Sequence, residues 1–453
     1  MKTFEFTVEN LGPIKSASFS SSHLNVICGK NNSGKSFLIH AIYCIFYCLN
    51  DMLRIKPKAE LVDDVLTKGC AKFPIEDYFS DLNEHIANAM PRVIELLPSF
   101  MNKSTTAFKD CKINVSINEQ YAKDFLINLS IDFNFIPVKN LKVTLTKKEN
   151  EGNCQFILEN GAETLPSRQH VYMILSFALS RLIGRVLPSP VLLTAERAGV
   201  SMFTSDVMAH ALSVNSEGAT YGIESVATEA LREHYPIAIL QEMLLQKDIK
   251  EIKGGQPYQL DITPSTKAFY DWFASNVMDG DVVAREGKLY FTQYSNKLEM
   301  PFSDVSSSVR ALTELNFFVH HLMAPGALLM IDEPELNLHP ERQRMLSRAL
   351  ARMVNNFGVG VVLSTHSITM VREFNTLLAF KALEDKALPL METHGYEEDE
   401  ILDENDVSYG IVEDGTIYQD KQSLQKKGLL VRSFDDTNEN IAMVQSAIVN
   451  LWD

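Results

Sequence analysis

Gly29-Lys30-Asn31-Asn32-Ser33-Gly34-Lys35-Ser36 decides how this chain is read. It fits GxxxxGK[ST] and stands between the apolar run Leu24-Asn25-Val26-Ile27-Cys28 and a stretch, Ser36 to Asn50, whose pattern turns helical. Strand, glycine loop and helix in that order make a cradle for phosphate. The glycines let successive backbone N–H groups and the helix N-terminus face the phosphates, Lys35 neutralises the β/γ oxygens, and the Ser36 hydroxyl can ligate Mg²⁺. Gly29, Lys30, Asn31, Asn32, Ser33, Gly34, Lys35 and Ser36 are therefore expected to hold a nucleoside triphosphate. The competing reading, a glycine turn that only caps a helix, does not need the lysine and serine.

About 300 residues downstream, Ala327-Leu328-Leu329-Met330-Ile331 ends in the carboxylates Asp332 and Glu333. A hard divalent cation takes oxygen ligands, so Asp332 at the strand end is the expected Mg²⁺ ligand opposite Ser36. Glu333 is expected to orient or deprotonate the water that attacks the γ-phosphate.

The remaining chain is organised around these two points. The opening alternates at Phe4, Phe6 and Val8, as edge strands do, and residues 51–105, punctuated by Pro57, Pro74, Pro91 and Pro98, read as an insertion of short helices and loops. Ile113 to Ile117, Phe125 to Phe133, Leu141 to Thr146 and Gln155 to Leu158 read as an antiparallel β-subdomain over 111–159. A helix near 168–186 and the buried strand Val191-Leu192-Leu193 complete a first lobe, 1–199. Residues 200–300 read as a second helical insertion, broken at Gly254-Gly255 and closing in a hairpin. Residues 301–385 alternate helix and strand as a parallel sheet does, and 386–453 form a C-terminal tail. The expected class is α/β, a parallel-sheet P-loop core with an antiparallel β-subdomain and a helical insertion.

Composition sets the outer limits. The 453 residues carry 42 Lys+Arg against 58 Asp+Glu, a net charge of −16, with 45% hydrophobic residues. Such a chain can bury a sizeable core, which excludes disorder and small disulfide scaffolds. The acidity disfavours non-specific adhesion to nucleic acid without closing off a local basic face. The lysine candidates for such a face are Lys139, Lys142, Lys147, Lys148, Lys247, Lys250 and Lys253. Much of the acidic excess falls in Glu397-Glu398-Asp399-Glu400, Asp403, Glu404 and Asp406, read as a solvated loop. The apolar stretch Phe37 to Leu49 is interrupted by His40 and falls short of the roughly 20 residues of a membrane span. No membrane association is expected. The six cysteines form no CxxC pair, and the N-terminus lacks a secretory apolar region, so a reducing, cytoplasmic setting is expected.

A resemblance sharpens this reading. Asp332-Glu333-Pro334-Glu335-Leu336-Asn337-Leu338-His339-Pro340 resembles the Walker B and D-loop of ABC-type ATPases of the SMC/RecF/OLD group, and Val8-Glu9-Asn10-Leu11-Gly12-Pro13-Ile14 resembles the element that begins RecF- and SMC-like chains. The resemblance implies an ABC-ATPase head with ATP and Mg²⁺. It implies a switch histidine, His366, in Ser364-Thr365-His366-Ser367 after the apolar run Val359 to Leu363, contacting the γ-phosphate. It also implies a signature segment, for which Ser306, Ser307 and Ser308 stand ahead of a helix, with serines in place of the usual glycines. Ser306 would meet the γ-phosphate of an opposite subunit, so a head-to-tail homo-oligomer, at least a dimer, is implied. Thr194-Ala195-Glu196-Arg197 resembles a segment common in these ATPases, and Arg197 is expected either to contact phosphate or signal to the helical lobe, or to form a structural ion pair with Glu196.

The tail, Asp406-Val407-Ser408-Tyr409 through Gly415-Thr416-Ile417 and Phe434-Asp435, is similar to that of AAA-type anti-phage defence ATPases. That implies a sensor or regulator of a separately encoded nuclease or toxin, since the roughly 70 residues after the last core strand are too few for a nuclease domain. The alternative is a RecF/SMC-like repair ATPase that clamps duplex DNA.

Overall fold

The computed structural model describes residues 4–20, 23–79, 81–138, 141–160, 166–204, 234–251, 263–285 and 288–419. The chain opens with the antiparallel strands β1 (Phe4–Leu11) and β2 (Ile14–Ser20). Next comes β3 (Leu24–Gly29), which leads through the glycine loop into helix α1 (Lys35–Met52). Helix α2 (Ala59–Lys68), strand β4 (Cys70–Pro74), the single turn α3 (Glu76–Phe79) and helix α4 (Leu82–Phe100) follow. Then come β5 (Lys112–Ile117), α5 (Glu119–Asn128), β6 (Ile131–Val138), β7 (Leu141–Lys147), β8 (Asn153–Asn160), α6 (Arg168–Ile183) and β9 (Ser189–Leu193).

The second half supplies α7 (Ile237–Glu251), α8 (Pro264–Phe273) and the small antiparallel sheet of β10 (Gly280–Arg285), β11 (Lys288–Gln293) and β12 (Glu299–Pro301). It returns to the core with α9 (Ser307–Phe317), β13 (Ala327–Asp332), α10 (Pro340–Phe357), β14 (Gly360–Thr365) and α11 (Ile368–Leu383). It ends, among the described residues, with α12 (Leu388–His394), β15 (Val407–Glu413) and β16 (Thr416–Gln419).

One nine-stranded sheet organises these elements, in the order β5-β1-β2-β16-β15-β3-β14-β13-β9. Its centre is parallel: β15, β3, β14, β13 and β9 all run in one direction. Both faces of that centre are covered. Leu24, Val26 and Cys28 pack with Leu350 of α10 and Phe374 of α11, whereas Ile27 packs on the opposite face with Ile42 of α1. Strands buried on both faces read as near-continuous apolar runs, which is why Leu24–Cys28, Ala327–Ile331 and Val359–Leu363 lack polar alternation; the one polar member, Asn25, donates from its side chain to Val361 O at 3.1 Å. The outer strands bury one face only, and β1 alternates accordingly, with Phe4, Phe6 and Val8 inside and Glu5, Thr7 and Glu9 outside.

The α/β class and parallel P-loop core expected from the sequence are what the structure has, but four local readings need correcting. Phe125 is not in a strand: Asn118 accepts a hydrogen bond from Tyr121 N at 2.9 Å, capping α5, and Ala122 and Leu126 recur at helical spacing on its buried side. Ile113 to Ile117 leave the β-subdomain and join the large sheet as β5, because the register Phe6↔Val115 and Val8↔Ile113 puts apolar residues on one face. Within 51–105, Ala71 and Phe73 alternate inward as β4, the edge of the four-stranded sheet β4-β8-β7-β6. Residues 407–419 are built into the central sheet, with Tyr409 opposite Val26. The tail beyond 419, Gly254-Gly255 and residues 205–233 of the second insertion lie outside the described residues.

The acidic run is also not uniformly solvated. Glu400 is fully buried, with Oε2 2.8 Å from Arg348 and Oε1 2.8 Å from Arg352. Arg348 and Arg352 in turn lie over the rings of Tyr396 and Trp272, at 4.5 Å and 4.2 Å from the centroids. A buried carboxylate is tolerated where cations and hydrogen bonds replace its water, and this one fastens the chain leading into β15 onto α10.

Candidate functional site

The carboxyl ends of β3, β13 and β14 converge on one place. Gly34 enters α1 with φ of +103°, a region open to glycine, and a Cβ there would lie 2.7 Å from Ile14 Cδ1. Lys35 is buried and folds back over the loop, donating from Nζ to the carbonyls of Gly29 at 3.0 Å and Lys30 at 2.9 Å. The Ser33 hydroxyl is buried without a hydrogen-bond partner, so this loop holds a polar group whose partner remains to be supplied.

Ser36 Oγ, in the first turn of α1, donates to Asp332 Oδ1 at the end of β13 over 3.1 Å, joining residues 296 positions apart. Ser364 donates its hydroxyl to the same Oδ1, and His40 Nε2 lies 3.7 Å from Oδ2. Burial alone would raise the Asp332 carboxyl, yet His40, Ser364 and Ser36 together hold it below the ordinary range. It thus offers an ionised oxygen beside a serine hydroxyl, groups of the kind that a small hard cation accepts together with phosphate oxygens and water. No group of three or more His, Cys, Asp or Glu side chains suited to holding a metal by themselves occurs among the described residues.

Glu333 follows Asp332 with φ of +49°, a left-handed conformation that costs a non-glycine residue about 1–3 kcal/mol unless its surroundings impose it. They do: Glu333 N donates to the Ser364 carbonyl at 3.1 Å and hydroxyl at 3.2 Å, and the Glu333 carbonyl accepts from Arg197 at 2.9 Å. Burial raises the Glu333 carboxyl above its usual value, and the negative neighbours Asp332 and Glu335 push the same way, against His366. His366 Nδ1 lies 3.5 Å from both Glu333 Oε1 and Glu335 Oε1, and its backbone N–H donates to Glu335 at 2.8 Å. Gly29 to Ser36, Asp332, Glu333 and His366 are therefore brought together at one edge of the sheet.

Ser306, Ser307 and Ser308 are placed elsewhere, at the exposed start of α9. Ser306 caps the helix, accepting from Val309 N at 3.4 Å, and its hydroxyl meets that of Ser308 at 2.7 Å. Among the described residues no hydrogen bond or ion pair joins these serines to the P-loop of the same chain.

Arg197 turns its guanidinium to backbone carbonyls. It is 3% exposed, and its guanidinium donates to the carbonyls of Ala311 at 3.0 Å and of Thr194, Asp332 and Glu333 at 2.9 Å each. Four donors spent on buried carbonyls leave no fork for an anion.

Several residues escaped the sequence reading. His40 stands four positions after Ser36, on the same helix face, a spacing that could have revealed it. Ser364 precedes the histidine at the end of an apolar strand and gave no signal beyond its polarity. Glu242 and Glu314 sit in apolar helices and are buried side by side: Thr194 donates to Glu242 from N at 3.0 Å and Oγ1 at 2.6 Å, and Gln246 donates to Glu314. Burial and mutual repulsion hold Glu314 well above the usual carboxyl range.

The three basic-face candidates whose side chains are described have partners within the chain. Lys147 is buried and donates to the carbonyls of Ile127 at 2.6 Å, Leu129 at 2.8 Å and Lys148 at 3.1 Å. Lys142 pairs with Glu159 at 3.7 Å and Lys148 with Glu151 at 3.9 Å. Lys139 and Lys253, and the side chains of Lys247 and Lys250, lie outside the described residues. Among the described residues no helix is long and apolar enough to cross a membrane.

A family model described as "AAA ATPase domain" matches residues 1–173 and 223–371, well over half of the chain. No curated protein matches it. Among solved structures, it is similar to an Smc head bound to the C-winged helix domain of ScpA, at 11% identity over 93% of this chain and 98% of that one, with a TM-score of 0.39. It is similar to a Pyrococcus furiosus Smc head with an extended coiled coil bound to the C-terminal domain of ScpA, at 12% identity over 94% and 98%, TM-score 0.36. An SMC head domain from Thermotoga maritima gives 10% identity over 93% and 98%, TM-score 0.32. Likeness at this level bears on neither activity nor partners.

Proposed function

The chain belongs to the AAA ATPase domain family, and on that premise we propose that it binds and hydrolyses ATP in a head-to-tail dimer. The observation that carries this reading is the Ser36 Oγ to Asp332 Oδ1 hydrogen bond of 3.1 Å, which puts both expected cation ligands on one spot beside the P-loop. Gly29 to Ser36 would wrap the phosphates, with Lys35 exchanging its two loop carbonyls for phosphate oxygens. Mg²⁺, held by Ser36 and Asp332, would neutralise charge on the β and γ oxygens. Glu333, partly dehydrated and raised in pKa, would take the proton of an attacking water, and His366 beside it would contact the γ-phosphate.

Ser306 and Ser307 lie exposed at the start of α9 and Ser308 is half-buried beside them, where they could complete the site of a second copy in a two-fold pair. ATP would favour the closed pair and hydrolysis would open it. Turnover assays test this reading. Wild type should release phosphate from ATP, Lys35→Ala should bind no nucleotide, and Glu333→Gln should bind ATP while losing about 10²–10⁴ in rate. Equal turnover in all three would remove the site from the mechanism.

The opening and closing would govern a separately encoded nuclease or toxin in anti-phage defence. A net charge of −16 suits a protein-handling role, and three of the lysines that a DNA-binding face would use are engaged within the chain. Recovery from the native host of a stoichiometric nuclease or toxin with tagged Glu333→Gln in Mg·ATP would support this. Recovery of DNA with repair proteins would favour the alternative, a RecF/SMC-like DNA clamp.

A further inference from the structure

Arg197 lies between the two segments that the family model matches, and its geometry is that of a fastener. Its planar guanidinium reaches three elements at once. Nε donates to Ala311 O in α9 at 3.0 Å, one turn past Ser307, and one terminal nitrogen donates to Thr194 O after β9 and to Asp332 O, each at 2.9 Å. The other donates to Glu333 O at 2.9 Å. The two carbonyls it holds at the end of β13 flank the Cα from which the Glu333 side chain projects, at the backbone kink with φ of +49°. The knot is closed from behind, since Glu242 of α7 accepts two bonds from Thr194 and packs beside Glu314 of α9, which is itself held by Gln246.

We propose that Arg197 is a positioning residue for hydrolysis, fastening the helix that begins with Ser306–Ser308 to the backbone that aims Glu333. The proposal rests on the ATPase reading above. The guanidinium is rigid, and its bonds diverge to α9 and to β13. A partner subunit that pulls on the first turn of α9 must therefore either carry the Asp332 and Glu333 carbonyls with it or break those bonds. Engagement at the exposed serines is thereby felt at Glu333 of the same chain, where a misplacement of about 1 Å is worth about 100-fold in rate. Arg197 touches no P-loop residue, so nucleotide affinity, set by Gly29 to Ser36, should not depend on it.

The experiment compares full-length wild type, Arg197→Lys, Arg197→Ala and Lys35→Ala, measuring ATP turnover over a range of protein concentrations and, separately, affinity for a fluorescent ATP analogue. Arg197→Lys keeps a cation that can satisfy some of the carbonyls, and it carries the test if Arg197→Ala does not fold. The expected result is analogue affinity within about threefold of wild type and turnover lowered by about 100-fold, with the dependence on protein concentration flattened. Wild-type turnover in Arg197→Lys would overturn the proposal, as would affinity and turnover falling together in proportion. If instead wild type itself hydrolyses no faster than Lys35→Ala, it is the ATPase reading that falls, and the Arg197 role falls with it.

Discussion

Replacing Glu400 by alanine should be among the most damaging changes outside the site. The carboxylate is fully buried, and both oxygens are committed, Oε2 to Arg348 at 2.8 Å and to Glu397 N at 3.0 Å, Oε1 to Arg352 at 2.8 Å from NH2 and 3.0 Å from Nε. The arginine side chains are only 6% and 10% exposed, so their charges would be left without a carboxylate in a poorly solvated place. Removing one partner of a buried pair costs about 3–5 kcal/mol.

The lower end applies here, because Arg348 keeps Tyr396 and Arg352 keeps Trp272 and an ion pair with Asp399 at 3.3 Å. About 3 kcal/mol corresponds to a fall of about 1 M in the urea midpoint at a slope near 3 kcal/mol/M. Because this segment feeds β15, which pairs with P-loop strand β3, the change should also weaken nucleotide binding at temperatures where wild type is intact. A midpoint shift under about 0.2 M would refute the reasoning, since it would mean that the arginines find water or other partners without cost.

Other consequences can be checked in parallel. Gly34→Ala should lower nucleotide affinity by about tenfold or more and destabilise the fold by about 1–2 kcal/mol, measured by titration and melting, because an L-residue at φ of +103° is strained and its Cβ meets Ile14. Glu314 binds its proton more tightly folded than unfolded, so the folded state holds the extra proton and stability falls as pH rises from the unfolded value towards the raised one. Glu314→Gln should flatten that decline and match or exceed wild type in melting temperature at pH 8. Ser364→Ala removes a hydrogen bond that helps keep Asp332 ionised, and the Mg²⁺ concentration for half-maximal turnover should rise about 10- to 100-fold, the scale of a lost supporting bond to a metal ligand.

What the sequence displayed and what it hid divide along physical lines. Strands buried on both faces announce themselves as apolar runs, so β3, β13 and β14, and with them the loops at their carboxyl ends, could be found before any coordinates. One-sided elements are ambiguous over short windows, and the apolar residues at 125, 126, 127 and 129 suited a strand until the Asn118 cap and helical spacing decided for α5. Strand order is not a local property: nothing in Val407–Glu413 says that it pairs with β3 across more than 370 positions, and nothing in Ile113 to Ile117 says that it leaves its neighbours for β1. The same holds at the site. A P-loop is legible because its residues are consecutive, whereas the grip of Arg197 on Asp332 and Glu333 spans about 135 positions and left only an arginine beside a glutamate to see.

In the proposed function, ATP holds two copies together through the serines at the start of α9. Sedimentation of Glu333→Gln in Mg·ATP tests it most directly, alongside the same protein in Mg·ADP and a Glu333→Gln, Ser306→Arg double variant. A dimer in Mg·ATP alone, lost in Mg·ADP and in the double variant, is the predicted result. A monomer in all three, or a dimer indifferent to both nucleotide and Ser306, would contradict it.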